Sequence, residues 1–304
     1  MNNQLKTILL LGSLSALLVG IGASVAPGAW ALFVVLALAM NLGAYFFSDR
    51  IILRTHGAQE LSTAQAPELH ALVEELADRA KIPKPRVYLI PGEQPNAFAT
   101  GRNPQHGVVA VTEGILRLLD QRELRGVLAH ELAHIKNRDI LVASLAAAGA
   151  SLISSAAHAL SFATWFGGAA NEEEEGGGGS GLLATIVAPI AATLIQLGIS
   201  RSREYQADET GARISGDPEA LASALSKLES SARALPVSAP AATASLFIVN
   251  PLGAVLSLSK WFSTHPQTEE RVARLLAMGE RSSGRGSAAS ALLREHSPIH
   301  STHG

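Results

Sequence analysis

His130-Glu131-Leu132-Ala133-His134 is the stretch on which the reading of this chain turns. It has the form H-E-x-x-H. On a helix, positions i and i+4 share one face, so both imidazoles reach a single zinc ion. Glu131 follows the first histidine and is placed to take a proton from water at the metal. Together these groups are the apparatus of zinc-assisted peptide hydrolysis. The chain has no cysteine. Disulfides and thiolate zinc sites are therefore excluded, and any metal must rest on histidine and carboxylate. Catalytic zinc keeps three protein ligands and one open position. The motif supplies two, so a third is needed.

Downstream, the chain reads Ser202-Arg203-Glu204-Tyr205-Gln206-Ala207-Asp208. Glu204 and Asp208 are i and i+4 and share a helical face. Glu204 suits the third ligand position. Asp208 suits a hydrogen bond to the far nitrogen of a ligand histidine, which fixes its tautomer. Upstream, Asp120 with Glu123 forms a capping-box pattern that opens the motif helix, with Leu124, Val127 and Leu128 on its buried face. No stop signal follows the motif before the apolar run at Ile140, which predicts one continuous helix. Its rise would leave the metal roughly 10 Å from the apolar boundary. Ala66–Lys81 has helical periodicity, and Arg86–Ile90, Asn96–Thr100 and His106–Val111 read as strands. Thr112 caps a short helix running to Leu119.

Hydrophobic residues make up 47% of the 304 and charged ones only 16%, against about 25% charged in soluble proteins. Mean hydropathy is +0.22. These values point to a membrane protein, and the net charge of −2 gives no footprint for nucleic acid. Four apolar runs, Thr7–Ala26, Trp30–Phe47, Ile140–Phe166 and Leu182–Ile199, approach or exceed the length needed to cross a bilayer. The third is long enough to tilt or project. Lys6 before the first run also fits a signal peptide, but Pro27 directly after Ser24-Val25-Ala26 favours an uncleaved anchor.

Lys6, Arg50, Arg54, Lys136, Arg138, Arg201 and Arg203 flank these runs on one side. The loop 27–29 is uncharged, and the loop 167–181 carries Glu172–Glu175 with no base. The bias places both termini and both polar segments in the cytoplasm. The expected organisation is a hairpin over 1–54, a first catalytic part over 55–139, a second hairpin over 140–199 and a second catalytic part over 200–278. A disordered tail is expected over 279–304, in which His296, His300 and His303 form no metal site. Ala241–Phe262 reads as buried loop and helix or a membrane-touching flap, because Asn250-Pro251-Gly253 interrupts it.

His130 to Asp139, Glu204 to Asp208, Ser263-Thr264-His265-Pro266 and Pro95-Asn96-Ala97-Phe98-Ala99-Thr100-Gly101 together resemble the HtpX-type membrane zinc metallopeptidases, relatives of the prenyl-protein (CAAX) endopeptidases. The resemblance runs from the first apolar run to about Ala277. It implies a zincin-like catalytic domain split in sequence by the second hairpin. It also implies cytoplasmic clearance of damaged or misfolded membrane proteins at the bacterial inner membrane. Carried over residue by residue, it makes His130, His134 and Glu204 the ligands of one Zn2+ and Glu131 the catalytic base. Spacing points to the same four. The resemblance adds His265 and Arg271 as oxyanion donors; otherwise Pro266 merely opens a helix and both are structural. It adds Asn96, Ala97, Phe98 and Ala99 as an edge strand that pairs with extended substrate. Asn137 reads as a residue supporting the ligands or ending the helix.

The expected fold is therefore mainly α: four transmembrane helices and a cytoplasmic zincin-like α+β metalloprotease domain. The lipid bilayer and membrane-protein substrates are the expected partners. A metal helix inside the bilayer, as in site-2-type proteases, is disfavoured by Arg122, Arg125, Lys136 and Arg138 around the motif. A zinc-stabilised scaffold would close its site with four protein ligands, and only three stand out. CAAX-type processing stays open on motifs alone, although four runs are few for that relative's larger chamber.

Overall fold

The computed structural model describes residues 27–149, 201–234, 246–248 and 266–295, with scattered positions before residue 21. The third apolar run past residue 149, the fourth run, the acidic loop, most of 241–262, His265 and residues 296–304 lie outside the described residues.

Helix α1 (Trp30–Thr55) has a mean hydropathy of 2.0 over its most apolar window and is long enough to cross a membrane. Leu32, Val35, Leu38 and Leu42 stand exposed along it, as a lipid-facing surface requires. The Asn41 amide donates to Ser15 Oγ at 2.6 Å and to the Leu11 carbonyl at 3.3 Å, joining the second apolar run to the first. The helix does not end with the apolar run at Phe47. It continues to Thr55 because Ile52 and Leu53 are drawn into the core of the following domain.

That domain is mostly helical around one sheet. Strands β1 (Gln59–Glu60), β2 (Arg86–Ile90), β3 (Ala97–Thr100) and β4 (Val108–Thr112) lie in the order β1-β2-β4-β3. β2 and β4 are parallel, and β3 is the antiparallel edge. Helix α2 (Pro67–Ala80) opens on a proline, closes on left-handed Lys81 and buries Leu69, Val73 and Leu76. Helix α3 (Glu113–Leu118) is capped by Thr112, whose hydroxyl accepts from Ile115 N–H. Helix α4 (Gln121–Lys136) carries the motif behind a reciprocal Asp120–Glu123 capping box.

Every residue of β3 and β4 is buried, so the sheet is covered on both faces. Side chains alternate across a strand. Val109, Val111, Ala97 and Ala99 face the core shared with α2 and α4. Val108, Ala110 and Phe98 face a second core built from Ile52 and Leu53 of α1 and Ala147 of α5 (Ile140–Gly149). The sheet thus rests on the ends of apolar helices. Thr100 and Ser144 hydroxyls meet at 2.7 Å, tying the end of β3 to α5.

The expected continuous helix from the motif into the apolar run is not what forms. α4 stops at Lys136, Arg138 turns left-handed at φ 56° and α5 begins at Ile140. Ile140, Val142 and Leu145 are buried in protein, so the apolar run begins inside the domain rather than at a lipid boundary. Downstream, α6 (Arg201–Ser215) and α7 (Pro218–Ala234) pack on α4. Both approaches depend on glycine: a Cβ on Gly211 would lie 2.8 Å from the His130 backbone, and one on Gly126 would lie 2.9 Å from Leu221 N. Helix α8 (Thr268–Glu295) runs well past Met278, where the sequence predicts a disordered tail. Its Ser287-Ala288-Ala289-Ser290-Ala291-Leu292-Leu293 stretch is made largely of good helix formers.

Candidate metal centre

α4 places His130, Glu131 and His134 beneath β3, and α6 brings Glu204 and Asp208 against them. The two imidazole Nε2 atoms face each other at 3.1 Å. Glu204 lies 3.8 Å from each, through Oε2 to His130 and Oε1 to His134. All three donor atoms fall within 4.8 Å of one another.

The outer nitrogens explain why these inner ones suit a cation. His130 Nδ1 lies 2.9 Å from Asp208 Oδ1, a close but bent contact. His134 Nδ1 lies 3.1 Å from Asp139 Oδ2. A carboxylate at Nδ1 keeps that nitrogen protonated in the neutral ring, so both Nε2 atoms turn lone pairs inward. Two lone pairs and a carboxylate then converge with no proton between them. A tetrahedral ion about 2.1 Å from each nitrogen would hold them about 3.4 Å apart, within a few tenths of an ångström of the spacing seen. The donor set fits a metal.

The surrounding field acts oppositely on the two rings. Burial pushes the His130 imidazole towards its neutral, ligand-competent form. Burial also disfavours a charged His134, but Asp139, Glu204 and Glu131 outweigh it and raise that ring to about 10. Such a raised value marks a strongly negative cavity. Burial pushes the Glu131 carboxyl up to about 8, with Glu204 adding to the shift and His134 opposing it. Glu131 Oε2 accepts from Ala99 N–H at 2.8 Å, so β3 aims the carboxylate into the cavity.

Asp208 is braced from behind. Arg271, 1% exposed, donates from Nε and Nη2 to its two oxygens at 2.8 and 2.7 Å. Burial would raise the Asp208 carboxyl, but Arg271 outweighs it and holds it down at about 2. The third guanidinium nitrogen, Nη1, donates to the Ile248 carbonyl at 2.8 Å. Arg271 does not line the cavity. This placement departs from the expected oxyanion donor: the guanidinium bonds to Asp208 and Ile248, and its Nη1 lies 3.9 Å from Glu204 Oε2.

Phe98 and Ala99 line the cavity, whereas Asn96 and Ala97 do not. Asn96 is tied into the fold instead, donating from its backbone to Thr112 Oγ1 and accepting at Oδ1 from Ile248 N–H. Asn137 is the C-cap of α4, and its buried Nδ2 has no partner among the described residues. It ends the helix and contacts neither histidine. His265 lies outside the described residues. Two charged cavity residues have no site role in the sequence reading, Asp139 and Arg203. Asp139 is five positions after His134, beyond the reach of helical spacing, and only the break in α4 returns it to that ring.

Residues 63–279 match the model of peptidase family M48. The chain is 49% identical over 284 residues to a protease HtpX homolog of Ralstonia nicotianae, covering 92% of this chain and 98% of that one. It is also 49% identical over 283 residues to a protease HtpX homolog of Methylibium petroleiphilum, covering 91% and 98%. The crystal structure of S. mikatae Ste24p superposes with a TM-score of 0.47 at 19% identity, covering 90% of this chain and 64% of that one. The chain belongs to peptidase family M48, among its HtpX-type membrane metalloproteases.

Proposed function

We propose that the chain is a zinc endopeptidase of the bacterial inner membrane that cleaves misfolded or damaged membrane proteins on the cytoplasmic side. Its organisation in this reading is a hairpin over 1–54, a catalytic domain over 55–139 and 200–278, and a second hairpin over 140–199. The four spans rest on the apolar runs, and their orientation on the one-sided Lys and Arg. The observation that carries the chemistry is the convergence of His130 Nε2, His134 Nε2 and Glu204 beside a carboxylate, Glu131, that is aimed by the edge strand. Disposal of membrane proteins fits the packing of that edge strand on α1 and α5.

His130, His134 and Glu204 would hold the zinc, which when bound would supply Lewis-acid chemistry, an acidified water and a polarised scissile carbonyl. Glu131 takes the proton from the attacking water and returns it to the leaving amine. β3 offers its backbone to an extended substrate beside Glu131, and Phe98 contributes an apolar wall. Asp208 and Asp139 keep the histidine tautomers, and Arg271 holds Asp208 in place. His265 is proposed as a donor to the oxyanion.

The test is Glu131→Gln in full-length protein. Expected is full zinc content with peptide hydrolysis reduced by about 10²–10⁴-fold, the usual worth of a general acid–base group. Membrane proteomes of cells carrying the variant should accumulate the substrates. A variant that still cleaves membrane proteins at the wild-type rate would remove Glu131 from the reaction. CAAX-type processing would show instead as accumulation of C-terminally prenylated proteins alone.

A further inference from the structure

The turn that ends α4 has the bonding of a Schellman motif. Arg138 N–H donates to Ile135 O at 3.1 Å and Asp139 N–H to His134 O at 3.3 Å, with the intervening residue left-handed. That position usually belongs to glycine, since a side chain there costs roughly 1–2 kcal/mol. The following helix starts at once: Ala143 N–H donates to Asp139 O, which makes Asp139 the N-cap of α5.

An aspartate at an N-cap normally turns its carboxylate onto the first N–H groups of its own helix. Asp139 does not. Its Oδ2 goes back to His134 Nδ1 at 3.1 Å, and its buried Oδ1 has no hydrogen-bond partner among the described residues. Asp139 is 4% exposed and lines the cavity with His134, Ile140 and Ala143. A buried carboxylate with one oxygen unsatisfied is costly. One residue thus grips His134 twice, by its backbone N–H on the carbonyl and by its carboxylate on the ring, while forgoing its own helix cap.

We propose that Asp139 is the positioning residue for His134, and that through it the first turn of α5 sets the geometry of the metal site. This rests on the reading of His130, His134 and Glu204 as metal ligands. The ring cannot rotate about its side-chain torsions without leaving Asp139. Asp139 in turn cannot shift without moving the start of α5, whose Ser144 hydroxyl receives Gly101 N–H at the end of the edge strand. A displacement of α5 is therefore transmitted to the ligand and to the substrate strand together.

The Asp139 carboxylate makes no cap bond to α5, so Asp139→Asn leaves the start of that helix intact and removes the charge that acts on His134 and Arg203. The measurements use full-length protein in nanodiscs: zinc affinity by chelator competition, the absorption spectrum after Co(II) loading, and kcat and KM on a peptide. Asp139→Asn is expected to weaken zinc binding by about 10–100-fold, the usual cost of losing an outer partner of a ligand. It should shift the Co(II) bands and lower kcat with KM unchanged. Asp139→Glu, which retains a carboxylate, should recover part of the affinity. Wild-type zinc affinity and Co(II) spectrum in Asp139→Asn and Asp139→Ala would overturn the proposal. Loss of the metal-free fold in Asp139→Asn would overturn it equally, because the charge would then be structural. His134→Ala separates the two levels. If it too binds zinc normally, the metal reading fails; if it alone loses zinc, only the role of Asp139 fails.

Discussion

The two histidines of the motif lie one turn apart on the same helix, yet they are held in opposite ways. His130 is supported at a distance: Asp208 comes from α6 and Arg271 from α8, 63 residues further on. Each of Asp208's oxygens receives a guanidinium nitrogen. His134 is supported locally by Asp139, at the junction with the next helix; one oxygen of that aspartate makes no hydrogen bond among the described residues, although Arg203 acts on the carboxylate electrostatically. The first support is a closed network built from α6 and α8. The second is a contact at the start of α5. The contrast teaches that one ligand is fixed by the packing of α6 and α8 and the other by where α5 begins.

The sharpest way to break this contrast is at Arg271. Arg271→Met would leave Asp208 buried and charged without its partner, which costs about 3–5 kcal/mol for a buried pair. A large drop in the melting temperature of the detergent-solubilised protein is expected, with loss of zinc following from loss of fold. Arg271→Lys should rescue little, because a point charge cannot serve both oxygens in a fork. If Arg271→Met melts with the wild type, the His130 support is no more closed than that of His134. A smaller effect is expected at Gly211, where a methyl group would meet the His130 backbone at 2.8 Å. Gly211→Ala should push α6 from α4 and cost about 1–3 kcal/mol, as overpacking does. It should perturb Glu204 and Asp208 while leaving Asp139 on His134. Its Co(II) spectrum should therefore differ from that of Asp139→Asn; identical spectra would mean that the two supports respond as one.

What the sequence made legible follows the same division. Signals confined to a few neighbours read well. The Thr112 cap, the Asp120–Glu123 box and the Arg86–Ile90 strand are all written within four or five positions. The end of α4 was illegible because its left-handed residue is Arg138, where glycine or asparagine would have announced a stop. Without that stop, Asp139 falls on the far side of a continuous helix and cannot be paired with His134. Arg271 carried a family resemblance but no geometry. An arginine near a metal motif can face substrate or brace a carboxylate, and only the packing of α8 on α6 separates the two. The edge strand held a similar ambiguity. The sequence names an edge strand but not what covers it; α2 and α4 cover one face and the ends of α1 and α5 the other.

The smallest expected effect tests whether the two supports are local at all. Glu123 sits in the first turn of α4, away from both histidines. Its carboxylate receives Lys227 Nζ and Ser223 Oγ, each at 2.7 Å, and Asp120 N–H at 3.0 Å. Burial works against the charged form, but these donors outweigh it and hold the carboxyl below its ordinary value of 4.5. A carboxyl depressed on folding stabilises the fold above the unfolded value and loses that contribution as pH falls through the folded one. Glu123→Gln should therefore cost about 1 kcal/mol near neutrality, on the scale of a helix cap. Melting curves of variant and wild type should converge as the pH drops below about 4. Zinc affinity at neutral pH should not change, since the start of α4 touches neither Asp208 nor Asp139. A Glu123→Gln protein that loses zinc as Asp139→Asn does would show that α4 moves as a rigid rod. The two histidines would then be held by the helix as a whole, and the contrast between their aspartates would carry no weight.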